Sequence, residues 1–118
     1  VLADAFAQRP TTTVRLASDD GSIGRQGRVT DLLEEVLRAE RRTVVACGPL
    51  PMLAAAARIC QAHAAELFVC LETYMGCGIG ICMGCVVPTT RGFERVCREG
   101  PVFRGDDILW DELLRHER

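Results

Sequence analysis

Cys77, Cys82, Cys85 and Cys97 are the residues of this chain best suited to chemistry. Four residues separate the first pair, two the second and eleven the third, and the first three thiols lie in one glycine-dense stretch, GCGIGICMGC. A C-x4-C-x2-C…C arrangement is the plant-type spacing for a 2Fe-2S cluster. Three thiolates from one tight loop can wrap most of such a cluster, and a fourth from a neighbouring strand or turn closes the second iron. Gly76, Gly78, Gly80 and Gly84 fit the same need, because glycine lets the backbone bend with positive φ and brings amide N–H groups close to sulfur. Those hydrogen bonds stabilise an added electron, so the chemistry expected is the passage of single electrons. Two other readings of the same thiols stay open. A structural zinc site normally draws on two C-x2-C knuckles, and only Cys82 and Cys85 form one here. Disulfides or unligated buried thiols are the third reading, against which stand an odd total of seven cysteines and an opening segment, VLADAFAQRP, without an export signal. Cys60 and Cys70 fall on a helix and a strand and read as small core hydrophobes, while Cys47, at a strand end, suits packing or a site equally.

The elements that must hold this loop read as alternating strands and helices. Thr11 to Ala17 (TTTVRLA) is a β-rich run ending in the turn signal Asp19-Asp20-Gly21-Ser22. From Asp31 to about Glu40 the apolar residues Leu32, Leu33, Val36 and Leu37 share one helical stripe, with Asp31 and Glu34 in the form of a capping box. Thr43 to Cys47 (TVVAC) suits a strand buried on both faces and closed by Gly48-Pro49. Pro51 is placed for a first helical turn, and Met52 to about Ala65 is a helix whose alanines allow close approach to a sheet. Leu67 to Leu71 is a third strand. This order signifies an α/β fold with a parallel sheet and crossover helices. After Glu72 the texture turns to glycine, methionine and cysteine, and short β pieces follow around Val86 and Val96. A closing helix spans Asp106 to His116 with Ile108, Leu109, Leu113 and Trp110 directed inward.

Composition excludes several classes of function. At 118 residues, 48% hydrophobic and a formal charge of −2, the chain is ordinary globular material with no basic face for a nucleic acid. No run approaches the roughly 18 apolar residues that a membrane span needs. A cytoplasmic location is expected. All fourteen bases are arginine, a bias to which no function is attached.

The pair VACGPLPML and YMGCGIGICMGCVV, in that order, resembles the electron-transfer subunit of class B dihydroorotate dehydrogenase. VCREGPVF is similar to that family's final ligand segment, and Asp19-Asp20-Gly21-Ser22 to its loop before the second helix, so the resemblance covers nearly the whole chain. It implies the C-terminal part of a ferredoxin reductase-like parallel-sheet nucleotide domain over residues 1–71, then a small cysteine-rich 2Fe-2S domain over 72–118. It implies a relay in which NADH gives a hydride to FAD and the cluster hands electrons singly to FMN in a separate dihydroorotate dehydrogenase catalytic subunit, within a hetero-oligomer serving pyrimidine biosynthesis. By position, Cys77, Cys82, Cys85 and Cys97 would be the ligands, and Cys47, Gly48 and Pro49 would lie near the nicotinamide. Asp19, with Ser18 and Asp20, would repel a 2′-phosphate and accept from a ribose hydroxyl, favouring NAD over NADP. Either aspartate could equally serve a solvated turn.

The family's FAD-binding barrel and first phosphate-binding turn are missing from the sequence, which therefore reads as a fragment that is not catalytic alone. FAD and NAD would belong to the full-length protein. Met75, Ile79, Ile81 and Met83 could cover the cluster or offer a docking surface to the FMN subunit. Similar reductase subunits serve sulfide dehydrogenase and ferredoxin:NADP oxidoreductase, where the first thiolate is often replaced, whereas Cys77 is present here. A zinc-stapled interaction module is the alternative of a different class.

Overall fold

The computed structural model describes residues 2–116. The elements follow in the order α1 (Leu2–Ala7), β1 (Ala17–Ser18), β2 (Arg25–Gln26), α2 (Val29–Ala39), β3 (Val44–Cys47), α3 (Leu50–Ala62), β4 (Leu67–Cys70), β5 (Val86–Thr89), β6 (Gly92–Arg95), β7 (Val102–Arg104), a 3-10 turn (Gly105–Asp107) and α4 (Trp110–His116). The fold is α/β, as the alternation predicts. β3 and β4 pair in parallel, with Val44 opposite Leu67 and Cys47 opposite Cys70. β7 joins the far side of β4 antiparallel, with Val69 opposite Phe103, so the central strand of this sheet is β4. β5 and β6 form a separate hairpin, linked to the start of the closing segment by a bridge between Thr89 and Ile108.

The period-2 alternation of β4 explains where the core lies. Leu67, Val69 and Leu71 are buried while Phe68 and Cys70 are only partly so. Against that buried face pack Leu53 and Cys60 of α3, Leu37 of α2 and Leu113 of α4, with Phe103 of β7 beside Val69 in the sheet. Cys85, Val87 and Val96 belong to this same cluster. Sheet and cysteine-rich segment thus share one core, and β7, from beyond the cysteines, completes the sheet begun by β3 and β4.

Four expectations need correction. Thr11 to Leu16 is not a strand; only Ala17 and Ser18 pair, with Arg25 and Gln26. β-branched residues favour a strand through their neighbours, and among the described residues no strand pairs with that run. The expected capping box is shifted by one turn: α2 starts at Val29, and the Asp31 carboxylate, at the third helical position, accepts from the Arg28 backbone N–H at 2.9 Å. β3 is not buried on both faces, since Val45 is 69% exposed and Cys47 is exposed. Helices cover only the face bearing Val44 and Ala46. Finally, Leu109 is 39% exposed, because the 3-10 turn delays the helix to Trp110 and changes the phase at which side chains point inward. Ile108 and Leu113 are buried as expected, and the Trp110 indole donates to the Gly105 carbonyl at 3.0 Å.

Candidate metal centre

The cysteine loop leaves the carboxyl end of β4, beside the carboxyl end of β3. From Tyr74 to Met83 the chain has no regular structure and folds around sulfur. The Ile81 and Cys82 backbone N–H groups donate to Cys77 Sγ at 3.3 and 3.4 Å, Gly84 N–H donates to Cys82 Sγ at 3.4 Å, and Cys97 N–H donates to Cys85 Sγ at 3.5 Å. Gly80 has φ +82°, which spares it the strain that a side chain would suffer there. Gly76 and Gly84 serve differently: a β-carbon at either would come within 2.9 or 3.3 Å of Cys82 Sγ, so bare backbone lies against that sulfur. Met83 also takes a left-handed conformation, φ +57°, which the glycine pattern did not signal.

The thiols associate two by two. Cys82 donates its backbone N–H to Cys77 Sγ, and Cys97 donates its own to Cys85 Sγ. Among the described residues no three His, Cys, Asp or Glu side chains gather about one ion position. Donated N–H groups from Cys82, Ile79 and Ile81 pull the Cys77 thiol down to about 6, so near neutral pH it is the thiolate that a metal requires. The Cys97 N–H lowers Cys85, whereas Cys85 beside it raises Cys97. Soft sulfur donors, aligned N–H groups and bare backbone at Cys82 fit an iron-sulfur group, and two dithiol pairs suit two metal ions better than one. Outside the loop, Cys60 is a buried core thiol whose titration burial raises.

One hairpin carries the fourth cysteine. Val96 N–H donates to the Cys85 carbonyl at 3.0 Å, and the Arg95 carbonyl accepts from the Arg98, Glu99 and Gly100 N–H groups, winding the turn that presents Cys97. Arg95 grips Glu99, whose carboxyl it holds at about 2. The folded value lies below the ordinary 4.5, so this pair contributes stability above pH 4.5 and loses it as pH falls through 4.5 toward 2. Glu99→Gln is therefore expected to lower stability at pH 7, with the deficit closing between those limits in urea titrations at stepped pH. An unchanged deficit at pH 2.5 would count against the pair. None of these contacts was foreseen in the sequence, where VCREGPVF marked only the cysteine.

The other expected site residues lie apart. Cys47 ends β3; Gly48, φ +152°, follows it, and a β-carbon there would meet Met52 at 2.6 Å; Pro49 caps α3. This turn and the cysteine loop leave the same end of adjacent parallel strands. Asp19 is exposed on the β1–β2 turn, in a different sheet. Its neighbours serve that turn: Asp20 accepts from Ser22 N–H and Oγ at 2.9 and 2.7 Å, and the Ser18 hydroxyl bonds Ile23. The structure does not bring Asp19 and Cys47 into one sheet.

Residues 72–109 match the family described as the iron-sulfur cluster binding domain of dihydroorotate dehydrogenase B. The chain is 35% identical to the electron transfer subunit of dihydroorotate dehydrogenase B (NAD(+)) of Clostridium acetobutylicum, over 84% of this chain and 39% of the relative. Identity is 42% with the subunit of Caldanaerobacter subterraneus subsp. tengcongensis, over 82% and 40%. With the homologous subunit of Aquifex aeolicus it is 43%, over 80% and 36%. The chain spans about two fifths of the length of these relatives. Among solved structures, a chain from an NADH-dependent reduced ferredoxin-NADP oxidoreductase, studied for flavin-based electron bifurcation, superposes with a TM-score of 0.74 at 31% identity. That match covers 88% of this chain and 38% of the other, and agrees with the ferredoxin reductase-like fold expected.

Proposed function

We propose, from the premise that residues 72–109 belong to the iron-sulfur cluster binding domain family of dihydroorotate dehydrogenase B, that Cys77, Cys82, Cys85 and Cys97 hold a 2Fe-2S cluster through which this chain passes electrons one at a time. The observation that carries the reading is the hydrogen bonding of the four cysteines two by two, the Cys82 N–H to Cys77 Sγ at 3.4 Å and the Cys97 N–H to Cys85 Sγ at 3.5 Å, an arrangement that would suit two irons. When bound, the cluster supplies a one-electron acceptor and donor. The chain's own residues supply the rest. N–H groups of Ile81, Cys82, Gly84 and Cys97 offset the charge that accumulates on sulfur, and burial of Cys85 keeps water from one side.

Residues 1–71 serve as part of a ferredoxin reductase-like nucleotide domain and 72–118 as the cluster domain. In the full-length protein the Cys47-Gly48-Pro49 turn would lie near the nicotinamide of NAD, Asp19 would accept from its ribose hydroxyl, and FAD would supply the step from hydride to single electrons. The acceptor is the FMN-containing catalytic subunit of a dihydroorotate dehydrogenase in a hetero-oligomer working in the cytoplasm. No described helix is long and apolar enough to cross a membrane. The likeness to a ferredoxin-NADP oxidoreductase favours a second reading, in which the acceptor is another flavoprotein.

The test is anaerobic purification with iron, sulfide and zinc analysis, then EPR after dithionite reduction. About two irons and two sulfides per chain with a rhombic reduced signal are expected; zinc without iron would overturn the reading and favour the stapled interaction module.

Met75, Ile79, Ile81 and Met83 are 52%, 67%, 76% and 49% exposed along the loop. These apolar side chains are the proposed docking surface. A double variant, Ile79→Asn with Ile81→Asn, is expected to slow electron delivery to the FMN subunit on the order of tenfold while iron content stays constant. Equal stopped-flow rates for the variant and the unmodified chain would place the docking surface elsewhere.

A further inference from the structure

Arg95 links the fourth-cysteine hairpin to the tip of the cysteine loop. Its Nη1 donates to the Gly80 carbonyl at 2.6 Å, and the N–H on the other side of that same peptide, from Ile81, donates to Cys77 Sγ at 3.3 Å. The guanidinium is held in place by Glu99. Arg95 Nε lies 2.9 Å from Glu99 Oε2, Nη2 reaches Oε1, and the Arg95 backbone N–H donates to Oε2 at 2.8 Å. The two side chains are only 23% and 28% exposed, which limits their screening by water. Gly80 is seated closely as well: a β-carbon there would approach Arg98 Cδ to 2.8 Å.

We propose that Arg95 is a positioning residue that tunes the electron affinity of the metal centre through the Gly80–Ile81 peptide, a role that rests on the cluster reading above. A cation at the carbonyl draws electron density through the amide and makes its N–H a stronger donor, and hydrogen bonds in such a chain reinforce one another. The stronger donor stabilises the added negative charge at the Cys77 sulfur, so Arg95 raises the reduction potential. Glu99 fixes the orientation of the fork, which a lysine could not reproduce because its three donors radiate from one freely rotating nitrogen instead of forming a rigid planar array. Arg98 is the natural control, being a neighbouring cation that is 64% exposed and whose Nε faces Glu99 at 4.0 Å rather than the Gly80 carbonyl.

The experiment compares the full chain with Arg95→Gln and Arg98→Gln, each purified anaerobically, assayed for iron and titrated potentiometrically with EPR detection. Arg95→Gln is expected to retain its iron and to weaken one-electron reduction on the order of tenfold, a shift of about 59 mV to more negative potential. Arg98→Gln is expected to shift by less than a third of that. An Arg95→Gln potential equal to that of the unmodified chain, or an equal shift in both variants, would overturn the proposal, the latter by reducing it to bare charge. If Arg95→Gln fails to load while the unmodified chain does, the comparison passes to Arg95→Lys. There a lowered potential supports the proposal and an unchanged one defeats it. Absence of iron from the unmodified chain would instead sink the cluster reading itself.

Discussion

Replacing Cys82 by serine is expected to strip the chain of most of its iron and of its reduced EPR signal, while Cys60→Ser leaves both unchanged. The contrast follows from surroundings. Cys82 Sγ accepts the Gly84 N–H, neighbours Cys77, and has bare glycine backbone on two sides. A serine oxygen is a harder donor with a shorter reach, ill matched to iron at that spacing. Cys60 is 1% exposed within α3, packed in the core, and its thiol is disfavoured as an anion by burial. Iron analysis with visible absorption on the two variants, prepared together without oxygen, decides the matter. Equal iron in both would remove Cys82 from the ligand set. Loss from both would show that core packing, rather than ligation, controls retention.

Truncating Leu53 to alanine is expected to cost about 2–5 kcal/mol of folding stability, a large part of what a domain of this size possesses. Leu53 has no exposed surface and belongs to the cluster that joins α3 to Val69 of β4 and to Cys85 and Val96 beside the metal centre. The cavity would therefore open in the core that α3 and the sheet share with the cysteine-rich segment. Urea denaturation of metal-loaded protein, followed by circular dichroism and by visible absorption, measures it. The two probes should report one transition at lower denaturant than in the unmodified chain. A midpoint unchanged by the truncation would mean that this helix does not contribute to the common core.

The cysteine spacing and the α/β order were legible in the sequence because both rest on local features. Three ligands fall within nine residues, and β3, α3 and β4 each announce themselves by hydrophobic pattern and by Gly48 and Pro49 between them. What escaped notice depends on residues distant in the chain. β7 is three residues long and joins the sheet only through register with β4, which no pattern within VFR discloses. Arg95 looked like one charged residue among many, and its contact with Gly80 spans fifteen positions. The run Thr11 to Leu16 erred in the opposite sense: its composition favours a strand, but composition supplies no neighbouring strand. Leu109 was misplaced by a 3-10 turn, whose three-residue period shifts every later side chain on the helix.

Because β4 leads into the cysteine loop and β7 brings the chain back to β4 after Cys97, all four thiols lie on a segment whose two ends are fastened side by side. Gathering four ligands from a free chain would cost the entropy of closing that long excursion before any metal was bound. Here the sheet has already met that cost. Capture of iron then becomes the filling of a shaped socket, and insertion can follow folding without having to drive it.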